Sequence, residues 1–252
     1  MLKVRVIPTL LWKDTTLVKG IGFDSWRRVG SMLPAIKVYN TRQVDELIIV
    51  DITATRDNRE PDYESVEEYS SECFVPLTIG GGVKNINDVK NLLQAGADKI
   101  SINSTAMDTP EIISEIAGKF GSQCVVVSID ARLCTNGRYE CFSHSGTKST
   151  GRDAVEWARE AVDRGAGEIL LTSIDRDGTM EGYDIDLIRS ITEAVSIPVI
   201  ASGGAGNYEH MLQAIKIGGA SAVAAASIFH FTQQTPLQAK RYLREHGVYT
   251  RV

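Results

Sequence analysis

Four side chains able to move protons or meet charge stand where apolar runs of the chain turn polar: Asp51, Asp130, Asp177 and Lys19. Asp51 closes one such run and Asp130 follows another, Cys124–Ile129. Asp177 lies just past a third, in Asp175-Arg-Asp-Gly. Carboxylates at such positions can act as general acid or base when geometry and pKa suit. Each, Asp175 included, can instead be a helix cap or a solvated loop residue. Lys19 sits in Leu17-Val-Lys-Gly and leads into a loop, Gly20 to Gly30, long enough to act as a lid. A lysine there can reach a phosphate, although a solvated surface lysine is the default reading.

Two glycine turns, Gly80-Gly81-Gly82 and Gly203-Gly204, follow other apolar runs. Glycine lets backbone N–H groups approach an anion closely. Asn103-Ser104 and Ala226-Ser227 each mark a corner from an apolar run into a helix, where a hydroxyl caps the helix or meets phosphate. Together these turns and corners predict two phosphate grips. A second charged set, Arg5, Glu46, Lys99 and Glu168, falls at the starts of apolar runs. Two cations and two anions brought together would close a ring of ion pairs, either a plug or a gate for a small polar molecule.

These residues need a scaffold that gathers strand ends. Eight runs read as strands: Val4–Leu10, Leu47–Ile52, Val75–Ile79, Lys99–Asn103, Cys124–Ile129, Glu168–Ser173, Val199–Ser202 and Ala222–Ala226. Several are continuously apolar, as strands buried on both faces are. Helical periodicity fills Ile86–Ala95, Pro110–Lys119, Ala154–Arg164, Ile185–Ala194 and Glu209–Ile217. Alternating strands and helices over 252 residues predict one α/β domain, a single (β/α)8 TIM barrel spanning 1–252. In such barrels the strand ends carry the chemistry.

The chain also repeats itself. Glu46 aligns with Glu168, Pro76-Leu-Thr-Ile-Gly-Gly-Gly with Pro198-Val-Ile-Ala-Ser-Gly-Gly, and Ala95-Gly-Ala with Gly218-Gly-Ala, at offsets of 122 to 123 residues. The repeat predicts two duplicated half-barrels, about 1–122 and 123–252. A net charge of -5 gives no basic footprint for nucleic acid. No apolar run approaches the roughly 20 residues of a membrane span, and no signal peptide is visible. The four cysteines, Cys73, Cys124, Cys134 and Cys141, lack CxxC spacing, and the expected location is the reducing cytoplasm. The four histidines have no ligand spacing, so neither a metal nor another cofactor is expected.

Leu77-Thr-Ile-Gly-Gly-Gly-Val, Ala95-Gly-Ala-Asp-Lys-Ile-Ser-Ile-Asn, Phe120-Gly-Ser-Gln-Cys, Glu168-Ile-Leu-Leu-Thr-Ser-Ile-Asp-Arg-Asp-Gly and Val199-Ile-Ala-Ser-Gly-Gly-Ala-Gly together resemble the cyclase subunit of imidazole glycerol phosphate synthase. The similarity covers nearly the whole chain. It implies a heterodimer with a glutaminase docked on the N-terminal face of the barrel. Ammonia would pass a gate of Arg5, Glu46, Lys99 and Glu168 to a substrate with a phosphate at each end. Asp98 would contact the glutaminase. The resemblance places one phosphate on Gly82, Asn103 and Ser104, and the other on Asp177, Gly178, Gly204, Ala226 and Ser227. Lys19 would bind substrate, and Asp130 would be one of two catalytic aspartates.

The other aspartate is absent. The first strand reads Ile7-Pro-Thr-Leu-Leu-Trp-Lys-Asp, with Leu11 where the family places the acid. The internal repeat agrees, because Val6-Ile-Pro-Thr-Leu-Leu aligns with Val125-Val-Val-Ser-Ile-Asp. Asp14 is three residues further on, but nothing in the sequence places it over a substrate. Kept grips and gate with a lost acid resemble a branch of the family linked to surface-polysaccharide genes. That branch implies ammonia supply to a separate sugar amidotransferase. A true cyclase, a lyase of histidine biosynthesis, is the alternative. A non-catalytic subunit binding a phosphorylated small molecule is a third.

Overall fold

A computed structural model describes residues 3–251. In chain order its strands are β1 (Arg5–Lys13), β2 (Thr16–Ile21), β3 (Asp24–Ser31), β4 (Leu47–Asp51), β5 (Leu77–Gly80), β6 (Lys99–Ile102), β7 (Val125–Leu133), β8 (Tyr139–Ser143), β9 (Lys148–Asp153), β10 (Glu168–Ser173), β11 (Val199–Ser202) and β12 (Ala222–Ala225). The helices are α1 (Met32–Thr41), α2 (Tyr63–Ser71), α3 (Ile86–Gln94), α4 (Ser104–Asp108), α5 (Glu111–Phe120), α6 (Ala154–Asp163), α7 (Ile185–Thr192), α8 (Tyr208–Lys216), α9 (Ser227–Phe231) and α10 (Pro236–Glu245).

Eight parallel strands close a barrel in the order β1-β4-β5-β6-β7-β10-β11-β12, with β12 returning to β1. This is the (β/α)8 fold, and all eight expected strands are among its staves. Side chains alternate across each stave. Ile7, Ile48, Val126, Leu170, Ile200 and Ala224 pack inside the barrel. Val6, Leu10, Ile49, Val127, Leu171 and Val223 point outward and are covered by the helices. Burial on both faces explains the continuous apolar runs. Each buried valine, leucine or isoleucine among them contributes about 1.5–3 kcal/mol.

The segment expected as a loop, Gly20 to Gly30, is instead largely strand. β2 and β3 form an antiparallel hairpin with Lys19 opposite Arg27 and Ile21 opposite Asp24. The strands approach closely at Gly20, where an added Cβ would overlap the Asp24 carbonyl. A second hairpin, β8–β9, follows β7 in the same way. Each hairpin extends its barrel stave beyond the rim.

α10 closes the chain against the barrel. Thr235 and Gln238 form a capping box at its start, with Pro236 in the first turn. Its Lys240 is 3% exposed and reaches Asp45, 5% exposed, at 3.2 Å. Among the described residues no helix is long and apolar enough to cross a membrane.

Candidate functional site

The C-terminal strand ends surround a mouth of about 1210 Å³, open to solvent. Its charged lining among the described residues is Lys19, Asp51, Asp130 and Asp177. Their environments differ, and so does what each can do.

Asp130 lies on β7 with 9% exposure. Its Oδ1 accepts from Ser128 Oγ at 3.3 Å and its Oδ2 from Asn103 Nδ2 at 3.2 Å. Burial pushes its carboxyl up to about 7; the Ser128 hydrogen bond opposes this, the Asp177 charge adds to it, and a Thr172 hydrogen bond opposes it further. A carboxyl poised there can give or accept a proton near neutrality. On the opposite wall the corresponding strand presents Leu11. An aliphatic side chain there can transfer no proton.

Lys19 is not the solvated lysine of the default reading. It is 2% exposed, and its Nζ donates to Asp177 Oδ2 at 2.7 Å. The backbone reinforces that link, since Gly22 N–H donates to the Asp177 carbonyl at 2.8 Å. The first hairpin is thereby tied to the loop after β10. Asp51 organises its own loop: Oδ1 accepts from Thr53 N–H at 2.9 Å and Ala54 N–H at 3.0 Å, and Arg59 pairs with Oδ2 at 3.2 Å. Asp175 is exposed and pairs with Arg132 at 3.0 Å, away from the lining of the mouth. Asp14 is exposed in the β1–β2 turn and also lines no part of it.

The glycine turns have the conformations that glycine permits. Gly81 and Gly82 have φ of 100° and 74°; Gly203 and Gly204 have 89° and 105°. A Cβ at Gly82 would lie 2.8 Å from Ala54 Cβ, and one at Gly204 would overlap the Gly182 carbonyl. The corners also match: Asn103 has φ -124° and ψ -80°, and Ala226 has φ -126° and ψ -67°. β5 and β6 lie across the barrel from β11 and β12. The two turn-and-corner sets therefore face each other over the mouth. Their hydroxyls differ in engagement. Ser104 Oγ accepts from His144 N–H of the second hairpin at 2.9 Å. Ser227 is buried beside Gly178 in the lining.

At the other end of the barrel the four expected charges meet. Arg5 pairs with Glu46 and Glu168, each at 2.7 Å; Lys99 pairs with Glu46 at 3.1 Å and Glu168 at 2.9 Å. The ring is closed and alternates in sign. Burial opposes the Arg5 charge, but Glu168 and Glu46 more than offset it and hold the guanidinium above its ordinary value. Asp98 is exposed on this face, and its Oδ2 accepts from Leu77 N–H at 2.8 Å. Phe74, 79% exposed, precedes β5 on the same face.

Several lining residues carried no sequence signal of chemistry. Thr55 Oγ1 accepts from Gly82 N–H at 3.2 Å. Phe23 and Trp26 of the first hairpin line the mouth, and Phe23 packs against Gly146 of the second. Their aromatic types within a glycine-bounded segment were the available hint. Residues 5–235 match a family model described as histidine biosynthesis protein.

Proposed function

We propose, from the premise that this chain belongs to the histidine biosynthesis protein family, that it is the barrel subunit of a glutamine-dependent amidotransferase that conducts ammonia and has lost cyclase chemistry. A glutaminase would dock on the face carrying Asp98 and Phe74. Ammonia would enter past the ring of Arg5, Glu46, Lys99 and Glu168. The closed ring carries this reading, because four charges at the foot of a barrel are a costly way to plug it. Hydrophobic residues of similar size would seal the same opening at less desolvation cost.

The barrel interior favours the neutral molecule. Ile7, Ile48, Val126, Leu170 and Ile200 line it, and an ammonium ion would lose its hydration there. A ring of ion pairs can open by moving one cation, and Lys99 has the longer, flexible stem. At the mouth, ammonia would arrive beside Asp130 and two phosphate grips. Gly82, Asn103 and Ser104 would hold one phosphate. Gly178, Gly204, Ala226 and Ser227, with Asp177 anchoring Lys19, would hold the other.

Ring closure needs one group to give and one to take a proton, and Leu11 removes one of the pair. The ammonia acceptor would then be a separate protein, a sugar amidotransferase in the branch that the sequence resembles. Active cyclase remains the second reading, favoured by Asp130 being held near 7. Turnover of the two-phosphate imidazole precursor with ammonium salt separates the two. A silent natural protein with an active Leu11→Asp variant supports ammonia conduction. Efficient turnover by the natural protein sinks that reading.

A further inference from the structure

A second cavity, of about 400 Å³, opens beside the mouth. Lys19, Gly178 and Ser227 line both spaces. Ser25, Arg27 and Phe231 wall the side cavity alone.

The charges explain why this annex matters to an anion. The mouth presents three carboxylates and one lysine, and that lysine is paired with Asp177 at 2.7 Å. A phosphate beside Gly178 and Ser227 would therefore meet backbone amides, a hydroxyl and nearby negative charge. It would lack a cation of its own. Arg27 supplies the missing charge. It lies opposite Lys19 in the hairpin, so its strand brings it to the same edge of the mouth. Among the described residues it makes no ion pair. Its guanidinium lies over the Phe231 ring, 3.7 Å from the centroid. Stacking occupies the face of the guanidinium and leaves its N–H edge free for a planar fork to an anion. Phe231 follows Ser227 by one helical turn in α9, so the platform and the hydroxyl share one side of that helix.

The other grip has no such reinforcement. Lys148, the corresponding cation of the second hairpin, pairs with Asp108 at 3.5 Å. Lys84 donates to the Asn58 carbonyl at 2.7 Å and lies outside the lining.

We infer that Arg27, held on Phe231, is an anion-binding side chain of the Gly178–Ser227 grip, and that it makes this grip the stronger of two unequal phosphate sites. A ligand with two different phosphorylated ends would thereby be bound in one orientation. The inference rests on the reading that the mouth holds two phosphates.

The test is calorimetric titration of the intact protein with inorganic phosphate, alongside Arg27→Met, Arg27→Lys, Phe231→Leu and Gly82→Ala. The natural protein is expected to bind at two sites of unequal affinity. Arg27→Met should weaken the tighter site about tenfold, or about 1.4 kcal/mol, and leave the weaker one alone. Arg27→Lys should restore part of the loss. Phe231→Leu should weaken the same site less than Arg27→Met does. Gly82→Ala should affect only the other site. Arg27 and Phe231 are surface side chains, and unchanged thermal midpoints would exclude misfolding. Two sites that bind equally well with and without Arg27 would overturn the role of the arginine and leave the two-phosphate reading standing. Absence of phosphate binding by the natural protein would overturn both.

Discussion

Leu11 and Asp130 occupy equivalent places on opposite walls of the barrel. From Leu11 the ladders run through Val50, Gly80 and Ser101 to Val126, four residues before Asp130. From Asp130 they run through Thr172 and Ser202, then one step along β12 to Ala224 and Ile7, four residues before Leu11. Each half ring slips by the same amount, consistent with the overall shear of about eight in such barrels. Both side chains line the mouth. A proton carrier on one wall thus faces an aliphatic side chain on the other.

That relationship makes Leu11→Asp the most informative substitution. It places a carboxylate at the position equivalent to Asp130, lining the same mouth. With ammonium salt and the two-phosphate precursor, turnover should rise about 10²–10⁴-fold over the natural protein. Steady-state rates at saturating ammonia check this. An unchanged rate would mean that Leu11 is not what limits cyclase turnover in this protein.

Asp130 also couples the mouth to stability. Its carboxyl is raised from 3.8 to about 7 in the folded protein. Between those values the folded chain keeps a proton that the unfolded chain has released. The contribution of Asp130 to stability is therefore fullest below about 4 and is lost as pH rises to about 7. Asp130→Asn removes the penalty. At pH 8 the variant should exceed the natural protein by a few kcal/mol, with the gap closing toward pH 4. Urea unfolding across that range reads it, and a gap independent of pH would contradict the assignment.

The staves and the ring were legible for one reason: both are written in strongly typed residues. Runs such as Leu47–Val50 and Val125–Ile129 are short, apolar and rich in β-branched residues, as strands covered on both faces are. Arg5, Glu46, Lys99 and Glu168 begin such runs, so closure of the barrel brings them together. The hairpins were less legible. β3 reads Asp-Ser-Trp-Arg-Arg-Val-Gly-Ser, largely exposed and without apolar alternation. It is a strand because β2 pairs with it, a contact that composition does not encode. Lys19 was ambiguous for a related reason. Its partner, Asp177, is 158 residues away, and only the closed barrel joins them. Arg59 on Asp51 and Thr55 on Gly82 are local in space but sit in an irregular loop with no period to read.

The ring itself predicts a specific failure. Lys99→Leu leaves Glu46 and Glu168 sharing Arg5 alone. The ring is partly buried, so stability at pH 7 should fall by about 1–3 kcal/mol. If the ring gates ammonia, glutamine hydrolysis by a docked glutaminase should continue while delivery of ammonia to product drops. The ratio of glutamate formed to aminated product measures the uncoupling. A ratio equal to that of the natural protein would remove the gating role and leave the ring a plug.

Among the described residues Asp45 and Lys240 form the most buried ion pair, with side chains 2% and 4% exposed. Asp45 Oδ2 also accepts from Val6 N–H at 2.9 Å, and Lys240 donates to the Gln43 carbonyl at 2.6 Å. The pair thus joins α10 to the turn before β4 and to the start of β1, beside Glu46 and Arg5. Lys240→Met would strand a buried carboxylate and should destabilise the protein by about 3–5 kcal/mol. Adding Asp45→Asn removes that stranded charge, so the double variant should recover much of the loss. Chemical denaturation of the four members of this cycle isolates the coupling. Additive losses would show that the two charges act independently and that α10 is held by apolar packing alone.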